Sequence, residues 1–464
     1  MLAERLADYA ARLTFRRLPE AVIHEVKRRL LDSVACAFGA WSAQPSRIAR
    51  ALASSVPLRH GATIWGTRTR TTPDLAAFAN GTLVRYLDYN DTYLSKEPAH
   101  PSDNIPACLA VAEFLRASGP RFIEAVVLAY EIQCRLCDAA ALRPRGWDHV
   151  TYGAFSTVLS TAKLLRLSRA KTIHAVNLAG ITAAALRQTR VGEVSLWKAC
   201  AFANAARNGI FAALIARQGM SGPAAMFEGE KGFMQIVSGP FDLPAFGGEP
   251  GIPFRILDTF IKAYPVEYHA QSAVEAALDI RRQVLAARGR FDSTAVQSIV
   301  VGSFDVAIEI IGRDPEKWHP QTRETADHSL PFCVATALAY GTVTPRSFSP
   351  TRLKDRSLRD LIQKVRVVEV PDFSDRYPRS MPTRLQVTLA DGGVFETQVD
   401  VALGHSMRPM SDQDVEAKLY ALTEGRLKDS EVARILRTVW KVDQLDDVSK
   451  LVAAMPVVNE RSAQ

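Results

Sequence analysis

Apolar residues recur every three or four positions over most of the first 220 residues, and this periodicity constrains the fold more than any other feature. After Pro19, for example, Val22, Val26, Leu30 and Val34 fall on one face of a helix. The pattern therefore predicts a domain built mainly from helices. The same spacing predicts further helices over residues 122–142, 151–167, 170–186 and 196–215.

Small side chains dominate the inner faces of these predicted helices. Alanine occupies positions 183 to 185, and it recurs at Ala201, Ala203 and Ala205. Helices with small inner faces can approach each other closely, which is typical of an interior helical bundle.

The pattern changes after about residue 240, where glycine and proline punctuate residues 239–253. Residues 296–301 and 365–370 then read as strands, and alternating residues on both sides of Asp391-Gly392-Gly393 predict a hairpin. A helical pattern returns near the C-terminus. We therefore expect a mainly α protein with a smaller α+β domain. Its large all-helical domain would be formed by residues 1–259 and 401–464, with an inserted α+β lid over residues 260–400.

Composition excludes several classes of protein. The chain has 464 residues, 47% hydrophobic and 23% charged, as in an ordinary globular protein. Its net charge of +8 is scattered and accompanies no nucleic-acid motif, so we expect no nucleic-acid partner. No apolar run is long enough to span a bilayer and the N-terminus lacks a signal-peptide pattern, so we expect no membrane partner and a cytoplasmic enzyme. The six cysteines have neither zinc nor iron–sulfur spacing and are expected to be buried free thiols.

The most polar segment of the helical half runs from Tyr86 to Asn104 and separates two helical patterns. It contains Asp88, Thr92 and His100, and His100 lies just ahead of a predicted helix whose free N–H groups favour an anion. Such a loop suits acid–base chemistry on a negatively charged substrate. The alternative is that Ser102 and Asp103 cap the helix while His100 is a surface residue.

Three further cationic or imidazole side chains lie on separate segments. His149 precedes the helix that starts at Thr151, Lys198 lies on an otherwise apolar face, and Lys262 lies at the junction between the predicted domains. Lys198 either extends to solvent or points at an anion. His319 and His405 are expected to be structural or at the surface.

Several segments together resemble the MmgE/PrpD family. The resemblance runs over nearly the whole chain, from about residue 20 to beyond 410. The matching stretches are Leu87-Asp88-Tyr89-Asn90-Asp91-Thr92, His100-Pro101-Ser102-Asp103-Asn104, Asp148-His149-Val150, Tyr264-Pro265-Val266-Glu267-Tyr268-His269-Ala270-Gln271 and Arg323-Glu324-Thr325-Ala326-Asp327-His328-Ser329-Leu330-Pro331.

The resemblance implies a cofactor-free, metal-free lyase, usually a homodimer, that acts on a tricarboxylate in propionate metabolism. Expelling hydroxide from a 2-hydroxy tricarboxylate requires a base for the carbon-bound proton, an acid for the hydroxyl and fixed cations for the carboxylates. By resemblance His100 has the acid–base role, with Asp88 and His149 as the other catalytic residues. The expected substrate-binding residues are Thr92, Lys198, Lys262, His269 and Gln271. His328 and Arg379 are weaker candidates.

Two local features bear on which member of the family the chain resembles. Residues 265–269 match the dehydratase form, so the resemblance implies dehydration of 2-methylcitrate to 2-methyl-cis-aconitate, with citrate as a second candidate substrate. Ser195-Leu196-Trp197-Lys198 departs from the Arg-Lys-Ser-Trp run that many dehydratases carry. A related decarboxylase or epimerase of a di- or tricarboxylate, or a non-catalytic helical scaffold, therefore stays open as an alternative.

Overall fold

The computed structural model describes residues 1–182, 184–191 and 194–458. It divides into two compact units, one of residues 1–259 with 411–464 and the other of residues 260–410. Most of the described residues are helical, and the strands are few and short. Within the described part of the chain, no helix combines the length and apolarity needed to cross a membrane.

Helices make up most of the N-terminal part of the first unit, as the periodicity predicted. The predicted helix after Pro19 is confirmed, and the one over 196–215 begins as a 3-10 turn at Leu196–Ala199. The one over 170–186 ends at Thr182, and Ala183 lies outside the described residues. The helices are α1 (Leu2–Arg12), α2 (Glu20–Gly39), α3 (Gln44–Ser54), α4 (Pro73–Tyr86), α5 (Ile105–Phe114), α6 (Gly119–Ala139), α7 (Thr151–Leu164), α8 (Arg169–Thr182) and α9 (Ala201–Arg217).

Small residues let α7 and α9 approach closely, as the alanine pattern predicted. A Cβ atom at Gly153 of α7 would lie 2.4 Å from Cε2 of Phe202, and one at Gly209 of α9 would lie 3.0 Å from the carbonyl oxygen of Ala154. Larger side chains at these glycines would force the two helices apart.

The first unit also contains a two-stranded antiparallel sheet, which the expectation of an all-helical domain did not include. The strands are β1 (Pro57–Thr63) and β2 (Arg70–Thr71), and their register shifts between Pro57 and Ala62. The sheet is short and irregular, so it has too few alternating residues for a strand pattern to stand out in the sequence.

The second unit combines a four-stranded mixed sheet with helices. Strand β3 (Val296–Ser303) pairs in parallel with β4 (Val365–Glu369) and antiparallel with β5 (Thr383–Leu389), and β5 pairs with the edge strand β6 (Val394–Val399). The predicted hairpin at Asp391-Gly392-Gly393 is confirmed, with Gly392 at φ 84°. The elements are α10 (Gln271–Arg288), β3 (Val296–Ser303), α11 (Asp305–Ala307), α12 (Pro315–Trp318), α13 (Arg323–Ala326), α14 (Leu330–Tyr340), α15 (Pro350–Leu353), α16 (Arg356–Ile362), β4 (Val365–Glu369), α17 (Pro371–Arg376), β5 (Thr383–Leu389) and β6 (Val394–Val399).

The C-terminal segment belongs to the first unit and adds α18 (Asp412–Thr423), α19 (Asp429–Val439) and α20 (Ser449–Ala454). Helix α18 packs on α2. Ser411 caps α18 by accepting the N–H of Asp414, while the Asp414 carboxylate accepts the N–H of Ser411. The start of this helix is therefore fixed by local contacts, whereas its place beside α2 is a long-range contact.

Candidate active site

The backbone turns sharply at Asp88, directly after α4. Asp88 has φ 51°, in the left-handed region, and its N–H donates to the carbonyl of Arg85 at 3.1 Å. Aspartate is one of the few residues with a side chain that occupies this region without large strain. The turn ends α4 and keeps the Asp88 carboxylate close to the last turn of that helix.

A pair of backbone hydrogen bonds then closes the polar loop. Tyr93 and Ala99 each donate an N–H to the carbonyl of the other, at 2.8 and 2.9 Å. The closure reverses the chain direction, so that Thr92 and His100 become neighbours although they are eight positions apart in the sequence.

His100 is held on both ring nitrogens. Its Nδ1 lies 2.7 Å from the carbonyl oxygen of Asp91 and 3.3 Å from Oγ1 of Thr92. Its Nε2 lies 3.0 Å from Nη2 of Arg85 and 4.0 Å from Oδ1 of Asp88. The side chain is 14% exposed, so His100 is not the surface residue of the alternative interpretation.

Asp88 bridges two cations. Its Oδ1 accepts from Nη1 of Arg85 at 2.9 Å, and its Oδ2 accepts from Nζ of Lys198 at 3.1 Å. Lys198 therefore does not extend to solvent but turns inward from its 3-10 segment. Because both Asp88 oxygens already contact cations, this carboxylate is better suited to positioning Arg85 and Lys198 than to holding a metal ion.

Asp91 anchors the middle of the loop to α6. Its Oδ1 accepts the N–H of Ser102 at 2.8 Å, and its Oδ2 accepts the hydroxyl of Tyr130 at 2.7 Å. Arg29 lies 3.8 Å from the same Oδ2. Burial raises the pKa of Asp91, and the charge of Arg29 opposes that rise. These contacts fix the position of the Asp91 carbonyl, which is a hydrogen-bond partner of Nδ1 of His100.

Ser102 and Asp103 do not cap a helix with their side chains, so the capping alternative is wrong for both. Asn90 instead donates to Oγ of Ser102 at 2.9 Å and to Oδ1 of Asp103 at 2.8 Å. Burial raises the pKa of Asp103 to about 7, although Arg85, with Nε 3.8 Å from its Oδ2, favours the charged form.

His149 is the second imidazole of the site. Its ring centroid lies 5.8 Å from that of His100, and its Nε2 lies 3.6 Å from Oδ1 of Asp148. Burial and then the charge of Arg190 lower its pKa to about 3, so His149 is neutral at pH 7. Its Nδ1 is buried and has no hydrogen-bond partner among the described residues, which leaves one polar atom for a ligand.

Arg190 and Lys418 each bind a residue that is adjacent in sequence to a candidate residue. Arg190 donates from Nε to Oδ2 of Asp148 at 2.8 Å, next to His149. Lys418 of α18 donates to the carbonyl of Tyr89 at 2.7 Å and pairs with Oδ1 of the buried Asp32 at 2.6 Å. Helix α18 thus fixes the residue that follows Asp88.

The remaining predicted residues lie in the second unit, and they form a local network there. His269 directs Nδ1 to Oε1 of Glu267 at 2.7 Å and Nε2 to the hydroxyl of Tyr377 at 3.4 Å. Burial alone would raise the pKa of Glu267, but the charges of His269, His328 and Lys262 lower it to about 2. Lys262 is itself buried.

Gln271 has a local role in the second unit. Its Nε2 donates to the carbonyls of Tyr264 and Val266 at 2.8 and 3.4 Å, and its Oε1 accepts the N–H of Tyr264 at 3.1 Å. The amide thus holds the turn ahead of His269, and it would act on a ligand through that turn.

The other singled-out side chains differ in exposure. His405 is buried and stacks on Phe260 at 4.3 Å, as expected of a structural residue. His319 and Arg379 are exposed, and His328 is partly buried with its Nδ1 beside Oδ1 of Asp327.

In the first unit, the structure therefore brings His100, Asp88, Thr92, His149 and Lys198 together. Sequence reasoning missed four residues that hold them. One signal was available, because Arg85 is a cation three residues before Asp88, on the same face of a predicted helix. The other three come from distant segments without a local signal. The missed residues are Arg85, Tyr130, Arg190 and Lys418.

Comparison with known proteins finds matches over most of the chain. Residues 4–245 match the model of the MmgE/PrpD N-terminal domain, and residues 264–444 match that of the MmgE/PrpD C-terminal domain. A 2-methylcitrate dehydratase of Cupriavidus necator is 30% identical over 87% of this chain and 85% of its own length. One of Escherichia coli (strain K12) is 28% identical over 82% and 81%. A human cis-aconitate decarboxylase is 26% identical over 98% and 94%.

Proposed function

The chain belongs to the MmgE/PrpD family, and from this premise we propose that it is a cofactor-free hydro-lyase that dehydrates 2-methylcitrate, with citrate as a second candidate substrate. The observation that carries the proposal is the cluster of His100, His149, Lys198 and Asp88 in the first unit. A substrate with three carboxylates and a leaving hydroxyl needs this combination of imidazole and fixed cation.

His100 is assigned the removal of the carbon-bound proton. That proton is weakly acidic, and the electron pair left behind spreads onto the adjacent carboxylate. The closed loop orients the His100 ring through contacts of Nδ1 with Asp91 and Thr92, and Nε2, which faces Arg85, is the nitrogen assigned to take the proton.

His149 is assigned a hydrogen-bonding role rather than that of a fixed cation. Because its pKa of about 3 keeps it neutral at pH 7, it can donate to an oxygen that gains charge without repelling the cations near it. Its buried, unpartnered Nδ1 supports a contact of this kind.

Lys198 is assigned to a substrate carboxylate, with Asp88 holding its ammonium group in place. Thr92 is assigned to the same substrate through its hydroxyl. In the second unit we assign Lys262 and His269 to substrate binding, because both are buried in or next to a segment that resembles the family, and Gln271 to holding that segment.

The dehydratase assignment is supported by the names of the two bacterial relatives and by residues 265–269. Decarboxylation of a related tricarboxylate is the second candidate, because the likeness to the human cis-aconitate decarboxylase covers 98% of the chain. The proposal also includes a homodimer working in propionate metabolism.

A single assay separates these functions. The purified protein is incubated with 2-methylcitrate, citrate or cis-aconitate, and both the ultraviolet absorbance of the unsaturated product and the release of carbon dioxide are followed. Dehydration is expected to raise the absorbance with 2-methylcitrate without carbon dioxide, and to persist after prolonged chelation. Release of carbon dioxide from cis-aconitate would show that the protein is a decarboxylase and would contradict the proposed dehydration. If none of the three substrates is turned over, the interpretation as a non-catalytic scaffold is favoured.

A further inference from the structure

Arg85 contacts both His100 and Asp88 in the site, and it lies outside every stretch that resembles the family. It lies in the last turn of α4 and is 3% exposed. Its guanidinium group contacts Asp88, His100 and Asp103. Nη1 donates to Oδ1 of Asp88 at 2.9 Å, Nη2 lies 3.0 Å from Nε2 of His100, and Nε lies 3.8 Å from Oδ2 of Asp103.

These contacts determine which nitrogen of His100 carries the proton. A guanidinium group only donates hydrogen bonds, so Nε2 of His100 must accept from Arg85. A carbonyl oxygen only accepts, so Nδ1 of His100 must donate to Asp91 at 2.7 Å. His100 is therefore a neutral imidazole with its proton on Nδ1 and its lone pair on Nε2.

The neighbours of His100 agree with this state. A second proton on Nε2 would point at the guanidinium group of Arg85. Asp88 lies 4.0 Å from Nε2, but its two oxygens already accept from Arg85 and Lys198. The imidazole of His149, whose ring lies 5.8 Å from that of His100, is neutral at pH 7.

We propose that Arg85 is a positioning residue that holds His100 as the neutral Nδ1–H tautomer, and that a substrate carboxylate takes over the Arg85 donor and uncovers the lone pair. This inference rests on the proposed function in that His100 is the base. When the lone pair is uncovered, the carbon-bound proton moves to Nε2 and the C–H electron pair stays on the substrate. Arg85 keeps its own protons throughout.

The forked shape of the guanidinium group explains why an arginine is needed at this position. Asp88 binds one terminal nitrogen, so the other is directed at His100. An ammonium group has no fork and cannot hold both partners in the same rigid geometry. When a substrate carboxylate replaces Nε2 of His100 as the acceptor of the Nη2 hydrogen bond, a charged acceptor replaces a neutral one. The hydrogen bond to the charged acceptor is the stronger of the two.

The inference is tested by nitrogen NMR of protein labelled with [15N]histidine. The chain has nine histidines, and the His100 signals are identified by their loss in His100→Asn. In the native protein Nδ1 is expected to carry the proton and Nε2 to show a hydrogen-bonded lone pair. In Arg85→Met the Nε2 signal should move towards a free lone pair or towards imidazolium. An unchanged Nε2 signal would overturn the role of Arg85.

Binding of a carboxylate is tested on the unaltered protein. Tricarballylate, a tricarboxylate without a hydroxyl group, is added until calorimetry shows saturation. The His100 Nε2 signal is then expected to move towards that of a free lone pair. No movement at full occupancy would overturn the proposed exchange, and this arm does not depend on how any Arg85 variant folds.

Kinetics supply the third measurement. Arg85→Met should lower kcat roughly 10- to 100-fold, the usual effect of a residue that orients a catalytic group, and Arg85→Lys should recover part of that loss. Arg50→Met is the matched control, because Arg50 is also buried but stacks on Trp41 at 3.6 Å. Equal kcat in Arg85→Met and Arg50→Met would contradict the inference, whereas normal turnover by His100→Asn would refute the proposed function instead.

Discussion

Replacing Asp88 by asparagine, glycine and alanine separates its two contributions, namely the carboxylate and the left-handed backbone. All three variants lose the charge that bridges Arg85 and Lys198. Only alanine also has a Cβ atom without a polar group that can bond locally, at a residue whose φ is 51°. The three variants therefore share one loss and differ in the other.

The structure sets the size of each contribution. Removing one partner of a buried ion pair costs roughly 3–5 kcal/mol of unfolding free energy, and Asp88 is 2% exposed. A residue with a Cβ atom lowers the unfolding free energy by about 1–2 kcal/mol when its backbone is in the left-handed region. Glycine avoids that cost but loses about 0.4–1 kcal/mol through its freer unfolded chain. The glycine variant should therefore be more stable than the alanine variant by about 1 kcal/mol, with asparagine the most stable of the three.

Urea unfolding followed by circular dichroism measures these differences. Arg166 supplies the matched control, because it has φ 53° and is exposed. Arg166→Gly should also exceed Arg166→Ala in stability by about 1 kcal/mol, without the ion-pair loss and with normal activity. Asp88→Asn should lower kcat/KM roughly 10- to 100-fold, because Arg85 and Lys198 lose the group that holds them.

Two results would refute this reasoning. Equal stability of the alanine and glycine variants at Asp88, alongside a clear difference at Arg166, would show that the left-handed turn stores no strain at Asp88. An asparagine variant with native stability and activity would show that the Asp88 carboxylate does not hold the site.

Three further predictions concern neighbouring residues. His100→Asn should lower kcat roughly 100- to 10,000-fold with little change in KM, whereas Lys198→Ala should mainly raise KM; a near-native kcat would remove His100 from the mechanism. Lys418→Met should cost roughly 3–5 kcal/mol in urea unfolding because it leaves Asp32 buried without its cation, and adding Asp32→Asn should restore most of that loss. Asp103 has a pKa of about 7 in the native state, against the ordinary value of 3.8, so between these pH values the native state holds a proton that the unfolded chain has released. The contribution of protonated Asp103 to the stability of the native state is therefore complete below pH 3.8 and is lost as the pH rises through 7. Asp103→Asn should remove that fall, and parallel pH–stability curves of the two proteins would contradict the assignment.

Local periodicity was enough to predict much of the fold. The helices after Pro19 and around Thr151, and the hairpin at Asp391-Gly392-Gly393, depend on contacts within a few residues and so leave a pattern in the sequence. The short sheet of β1 and β2 left no such pattern. Predictions were accurate for the long helices and for the strands of the second unit, and they missed the short, irregular sheet of β1 and β2.

The candidate residues of the first unit were also visible in the sequence, because His100 and His149 each precede a helical pattern and Lys198 lies on an otherwise apolar face. Their state was not visible. The proton on Nδ1 of His100 follows from Arg85 and from the carbonyl of Asp91, and a carbonyl has no side-chain identity to read.

Tertiary structure alone decided what holds the loop. Lys418 reaches the carbonyl of Tyr89 across 329 positions, and Tyr130 reaches Asp91 across 39. Periodicity reports only which face of an element is apolar, and it is silent on which buried donor meets which acceptor. That pairing is set when helices pack and buried polar groups must find partners, so it depends on all the packed elements at once.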